Sequence, residues 1–165
     1  MSTLYVDTIN EKTSGNGVQI PGHVVQVVSN IVTGQQSFTS TSPAASNLSL
    51  SITPKYSNSK LLIMITINGV HNGSTASGIN LHLYRDGSPA SIGSLSGNSA
   101  RWLYAASYNT AGASIISASL NALDDANNTS STTYTIYCSL FGSGTGYFSV
   151  NTDDQSSITI MEIAQ

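Results

Sequence analysis

The sequence has very little charge. Lysine, arginine, aspartate and glutamate make up 8% of its 165 residues, against about 25% in an average soluble domain. Five basic and eight acidic residues give a net charge of −3, with no long run of either sign. A surface that binds phosphate backbones or anionic lipid needs a basic patch. The composition therefore argues against nucleic acid and membrane surfaces as partners.

Cysteine is nearly absent. The single Cys138 lies in an alternating run on the same parity as Ile136 and Leu140, which predicts a buried, inert thiol rather than a nucleophile. One cysteine cannot form an intrachain disulfide. The fold must be held by packing, or by association with other copies of the chain.

Long apolar runs are also lacking. The start, MSTLYVDTIN, has no basic region followed by a continuous apolar stretch, and no later run approaches the roughly 18 apolar residues that a membrane span needs. We therefore expect no membrane insertion, and a protein that is made in a cytoplasm and not exported from it.

Recognisable catalytic patterns are missing as well. Serine is abundant, but no Gly-X-Ser-X-Gly nucleophile elbow occurs. None of His23, His71 and His82 has a carboxylate beside it in the sequence, which favours a surface or interface role for each. No glycine-rich stretch matches a phosphate-binding loop. The chain is therefore predicted not to be an enzyme and to need no cofactor.

Metal ligands are equally sparse. The adjacent acids Asp124 and Asp125, and the pair Asp153 and Asp154, lack the spacing of a calcium-binding loop. One cysteine and three scattered histidines offer no zinc-ligand pair. Both acidic pairs are more simply interpreted as solvated loops, and no metal site is predicted.

Period-two alternation of apolar and polar residues dominates the rest. Turn residues separate the alternating runs, and no helical apolar period is sustained. This pattern predicts an all-β fold, an antiparallel β-sandwich of the jelly-roll kind. The predicted strands are 23–32, 48–52, 60–70, 79–84, 100–107, 114–120, 132–140, 146–150 and 157–164.

The stretch 61–67 is apolar on both parities apart from Thr66. Leu62 and Met64 oppose Leu61, Ile63 and Ile65. This predicts a central strand that is covered on both sides, and a neighbouring subunit could supply one of the covers.

The first 22 residues differ from the remainder. They hold two short strand-like pieces around Gly15 and Gly17 and end at Pro21 and Gly22. Such a segment is too short to fold alone. We predict an attachment segment over 1–22 and a sandwich domain over 23–165; the alternative is an edge hairpin of the main domain. The candidate attachment residues are Leu4, Tyr5, Val6, Ile9, Val18 and Ile20.

Aromatic residues offer the remaining recognition chemistry. The single tryptophan, Trp102, lies beside Arg101 and shares parity with Tyr104 and Tyr108. These rings could stack on a sugar face. Packing in the core or against another subunit is the alternative, and it is the interpretation we favour.

Four stretches carry a resemblance to a known family. TLYVDTINEKTSGNGVQIPGHVVQVV resembles the opening of short fibre and virion structural proteins of tailed bacteriophages, especially those infecting cyanobacteria and other aquatic bacteria. ITPKYSNSKLLIMITINGV, LHLYRDGS and SSITIMEIAQ are similar to strands of the domain that follows. The resemblance implies a homotrimer in the virion, on a tail fibre or a head fibre. It carries over no active-site residues.

Three functions follow as hypotheses. The first is a trimeric virion fibre or spike, assembled in the host cytoplasm, whose N-terminal segment holds another tail or capsid protein. Its loops at 72–77, 88–98 and 121–131 are expected to contact the host surface, where a glycan is a candidate partner. The second is a stand-alone carbohydrate-binding module. The third and weakest is a hydrolase, for which the unpaired acids are Asp7, Glu11, Asp86 and Glu162.

Overall fold

The computed structural model describes residues 5–10, 20–72, 77–90, 101–107, 115–149 and 152–165. These residues form eleven β-strands and no helix, so within them no helix could cross a membrane. The all-β prediction is confirmed. The strands are β1 (Val24–Val32), β2 (Gln36–Phe38), β3 (Ala44–Ile52), β4 (Lys60–Asn72), β5 (Ser77–Arg85), β6 (Ser88–Pro89), β7 (Arg101–Ser107), β8 (Ile115–Asp125), β9 (Thr132–Phe141), β10 (Gly146–Phe148) and β11 (Ser156–Ile163).

Two antiparallel sheets enclose one core. Sheet I runs in the order β1, β11, β4, β8, and the short strands β10 and β2 extend it beside the end of β4. Sheet II runs in the order β3, β9, β5, β7, with β6 also against β5. Since both sheets bury one face against the other, the arrangement is that of a β-sandwich.

Alternation decides which side chains enter the core. Along β4 the residues Leu61, Ile63, Ile65 and Ile67 are at most 2% exposed, and their partners on β11 include the equally buried Ile158 and Ile160. Sheet II contributes Leu81, Ile136 and Cys138 among others, each fully buried. The prediction that Cys138 points inward is confirmed.

One glycine adjusts the central strand. Gly69 has a φ of +74°, which a residue without a Cβ adopts at no steric cost. It lies where the pairing of β4 with β8 shifts register, between Ile67 and Val70. This β-bulge lets β4 continue to Asn72 with Val70 buried.

Most predicted strands lie close to the observed ones, with two instructive differences. Strand β8 continues to Asp125 instead of ending at Leu120, so the interpretation of Asp124 and Asp125 as loop residues was wrong. The short strands β2 and β6 were not predicted, because three and two residues hold too few alternations to give a signal.

Residues 20–23 form a turn that leads into β1. The amide of His23 donates to the Ile20 carbonyl at 3.0 Å. Pro21 fixes the second position, and Gly22, at a φ of +85°, fills the third. The Gly22 amide also donates to the carbonyl of Ala164 at 2.8 Å, which ties this turn to the end of β11.

The sandwich has two distinct ends. β1 and β4 begin, and β8 and β11 finish, at what we call the N-terminal end. The chain enters there through the turn at 20–23. β4 finishes and β8 begins at the opposite, far end.

Candidate functional site

The outer face of sheet I carries four apolar side chains in one line. The strand register places Val27 opposite Met161, Met161 opposite Leu62, and Leu62 opposite Leu123. Val27 is 53% exposed and Leu123 is 51% exposed, while the two central residues are half-buried. We call these four residues the apolar row. It crosses all four long strands of the sheet.

The rows beside it mix polar and apolar side chains. Toward the N-terminal end, the next row includes the ion pair between Lys60 and Asp125, beside Val24 and Ile163. Toward the far end, Met64 lies in a row that is otherwise polar, followed by a hydroxyl-rich row. That row consists of Ile31, Ser157, Thr66 and Ser119. The charges of the lysine and the aspartate are opposite in sign and cancel each other.

The sequence predicts that both faces of β4 are covered, and the structure shows a cover on one of them. The inner face is sealed by sheet II, whereas Leu62 and Met64 on the outer face remain half-buried. Contiguous apolar patches on a protein surface mark interaction sites. The apolar row is therefore the candidate functional site.

The candidate attachment residues lie partly within the described chain. Tyr5 is 89% exposed, and Val6 and Ile9 are also exposed. Ile20 is half-buried in the turn at 20–23. Leu4 and Val18 lie outside the described residues. The attachment role of these six residues stays a prediction.

The candidate glycan residues are only partly described. Arg101, Trp102 and Tyr104 belong to β7, an outer strand of sheet II that pairs with β5. Their side chains, and Tyr108 as a whole, lie outside the described part of the chain. Backbone pairing places Tyr104 opposite Asn80. The proposed sugar-stacking role stays a prediction.

A different aromatic pair occupies the outer face of sheet II. The rings of Tyr84 and Tyr137 stack at a centroid distance of 3.8 Å and an angle of 12°, and His82 meets Tyr84 edge-on at 6.5 Å. Sequence reasoning missed this pair. Each tyrosine alternates with core residues, but only the pairing of β5 with β9 brings the two rings together.

His82 also approaches a serine. Its Nε2 lies 2.9 Å from Ser139 Oγ, to which Asn80 Nδ2 donates at 3.3 Å. Ser139 is only 2% exposed and His82 9%, so His82 does not lie at the surface of the single chain, and the interface role that was the other expectation stays a prediction. A substrate cannot reach a hydroxyl that is sealed in this way. The contact is therefore structural in the folded chain.

A polar network closes the core at the N-terminal end. Asp124 accepts from Arg85 Nη1 at 2.8 Å and from the hydroxyl of Tyr134 at 2.6 Å. Arg85 also donates to the carbonyls of Asp125 and Ala126 at 3.0 Å. The Asp124 carboxylate is thus occupied by an ion pair rather than open to a cation. In the described ranges no group of three His, Cys, Asp or Glu side chains could hold a metal.

Two buried groups, the Cys138 thiol and the Tyr134 phenol, make the stability of the fold depend on pH in the alkaline range. Burial raises the pKa of the Cys138 thiol. Burial, together with the hydrogen bond to Asp124, raises the pKa of the Tyr134 phenol. In the unfolded chain these groups ionise near their ordinary values of 9.0 and 10.0. Above those values the unfolded chain releases protons that the folded chain keeps, so stability is lost as pH rises.

We expect the free energy of unfolding to fall above about pH 9, by up to about 1.4 kcal/mol per pH unit for each of the two groups. Urea unfolding from neutral pH to about pH 11 measures this decline. The free energy of unfolding of Tyr134→Phe should decline less steeply above about pH 10, because this variant lacks the ionisable hydroxyl of Tyr134. An identical decline in the two proteins would contradict the assignment to Tyr134.

Comparison with known proteins assigns no function. No protein-family model matches the chain, and no curated protein sequence matches it. We therefore infer the function from the surfaces and the two ends of the sandwich.

Proposed function

We propose that this chain is a non-enzymatic structural protein of a phage particle, a homotrimeric fibre or spike anchored through its N-terminal segment to a tail or capsid protein. The observation that carries the proposal is the apolar row on the outer face of sheet I. Four apolar side chains in register on a half-exposed face favour burial against another protein surface. A sparsely charged, hydroxyl-rich sequence suits a protein that works at varied salt concentrations.

The strand order supports a jelly-roll topology for the sandwich. In sheet I, β11 lies between β1 and β4; in sheet II, β9 lies between β3 and β5. The chain thus returns late to fill the middle of each sheet, as in Greek-key connections. Jelly rolls are common in viral structural proteins, which agrees with the resemblance of the sequence to phage fibre proteins.

The two ends of the sandwich give the proposed fibre a direction. The turn at 20–23 leaves from the N-terminal end, so a particle held by residues 1–22 lies on that side. Residues 126–131 follow β8 at the same end, where the Ala126 amide donates to the Ser59 carbonyl at 3.0 Å. Residues 86–90 are also at this end, because Arg85 contacts Asp124.

This direction changes which loops are candidates for contact with the host surface. Of the three loops predicted from the sequence, 72–77 joins β4 to β5 at the far end, and its residues 73–76, like residues 91–98 of the second loop, are outside the described part. Residues 121–125 belong to β8 and not to a loop. The fully described far-end connections are 33–35, 39–43 and 142–145, and residues 152–155 lead into β11 at the same end. These are the better candidates for a host surface, and substitutions there should alter adsorption.

The proposal is tested on particles. Antibodies against the chain are applied to purified virions produced by the genome that encodes it, and labelling is followed by electron microscopy. Label on tail or head appendages is expected. A chain found only in the soluble lysate, with none in purified particles, would contradict a virion role.

The second candidate is a stand-alone carbohydrate-binding module, favoured by the stacked Tyr84 and Tyr137 beside the strand that carries Trp102. It requires a monomer whose binding to a glycan array is lost in Trp102→Ala or Tyr84→Ala. Our proposal requires a trimer whose mass is unaffected by either change. Solution mass and glycan binding, measured on the same three proteins, separate the two functions.

A further inference from the structure

We infer that three copies meet through their apolar rows around a threefold axis that runs along the strands, with all N-terminal ends pointing the same way. This inference rests on the proposed function, because it names the partner of that surface as two further copies of this chain. It adds the orientation of the copies and the residues nearest the axis. Leu62 and Met161, the central residues of the row, lie nearest.

The chemistry of the face favours a second copy as its occupant. Among the side chains that the structure describes on this face, the charged ones are Lys60 and Asp125, which face each other on adjacent strands and form an ion pair within one copy. Within this described part, a charged ligand or partner would find no unpaired charge to bind. Identical copies meet without like-charge repulsion, and their apolar rows are complementary by symmetry.

The order of the rows favours a parallel arrangement. A threefold axis along the strands sets every row at the same height as its equivalents. Apolar side chains of the three copies then meet at the level of Leu62, and their hydroxyl groups meet at the level of Thr66. An antiparallel pair centred on the apolar row would instead place the Lys60 row against the Met64 row. It would also send the two attachment segments in opposite directions, which one anchoring surface cannot use.

Engineered cysteines test the orientation in the full chain. Cys138 is the only native cysteine and is fully buried, so an introduced surface thiol reacts alone. Thr66→Cys places a thiol on the exposed far part of sheet I, four residues or about 13 Å along β4 from Leu62. In a parallel trimer the three thiols share one height. In an antiparallel pair they are separated by roughly twice that distance.

The matched control is Ser51→Cys, on the exposed outer face of sheet II. Each variant is treated with a short bismaleimide, and the products are separated on a denaturing gel. We expect Thr66→Cys to give covalent dimers, up to about two thirds of the chain, since one linker joins two of three copies. Ser51→Cys should remain a single chain. The mass of each variant before linking is measured by light scattering.

The outcomes distinguish the inference from the proposed function. A trimer by scattering with links only in Thr66→Cys supports both. A trimer that links through Ser51→Cys and not through Thr66→Cys overturns the axis position and leaves the fibre proposal standing. A monomer by scattering in both variants and in the wild type overturns the fibre proposal, and the inference falls with it.

Discussion

Replacing Leu62 with aspartate should convert the proposed trimer into a monomer without unfolding the sandwich. Leu62 is central in the apolar row, and its side chain points away from the core, so the fold loses little. In the trimer the same change would place three carboxylates together near the axis. Transfer of each charge out of water costs several kcal/mol after relaxation. We therefore expect association to weaken by two orders of magnitude or more, since about 1.4 kcal/mol corresponds to a factor of ten.

Two matched variants control this experiment. Leu62→Met keeps the volume and apolar character of the side chain and should remain trimeric. Ser51→Asp adds the same charge on the outer face of sheet II and should also remain trimeric. Far-UV circular dichroism checks that all three retain their β-structure. A Leu62→Asp protein with the mass of three chains would show that the apolar row is not the interface.

Glu162→Ala should be the most destabilising single change at the N-terminal end of the core. The Glu162 carboxylate is fully buried, and it accepts from the backbone amides of Lys55 and Tyr56 at 2.9 and 3.0 Å and from Gln26 Nε2 at 2.6 Å. It thereby holds the connection from β3 to β4 against β11. Removing it leaves two part-buried amide donors without an acceptor, and an unsatisfied donor costs about 1–3 kcal/mol where it is kept from water.

We expect Glu162→Ala to lower the free energy of unfolding by about 3 kcal/mol or more. Glu162→Gln keeps one acceptor oxygen and should lose roughly half as much. Urea unfolding is best measured in the Leu62→Asp background, where association does not contribute to stability. A loss below about 1 kcal/mol for Glu162→Ala would mean that water replaces the carboxylate, and that the connection does not depend on it.

Alternation in the sequence predicted much of the sandwich because a half-buried strand carries apolar residues on its buried face and polar residues on its exposed face. The run around Ile63 and the parity of Cys138 are examples. Each prediction concerns only which side of a single strand faces the core, and neighbouring residues are enough to indicate this. Apolar residues on the second face of β4 also predict a cover on that face, and this cover stays a prediction. The pattern could not indicate which other residues complete that face.

Features that depend on strand pairing could not be predicted in this way. The apolar row joins residues 27, 62, 123 and 161, and only the register of three strand pairs aligns them. Adjacent acids followed by Asn127 and Asn128 predict a loop at Asp124, and its partner Arg85 is distant in sequence. The contacts of His82 with Ser139 and Tyr84 likewise depend on the pairing of β5 with β9 and on the fold around it.

The proposed association of three copies is measured most directly by light scattering of the wild-type protein over a range of concentrations. We predict a mass near three times 17.2 kDa for the wild type, and a mass near one chain for Leu62→Asp. A wild-type mass of one chain at every concentration would contradict it, and would favour the stand-alone carbohydrate-binding module.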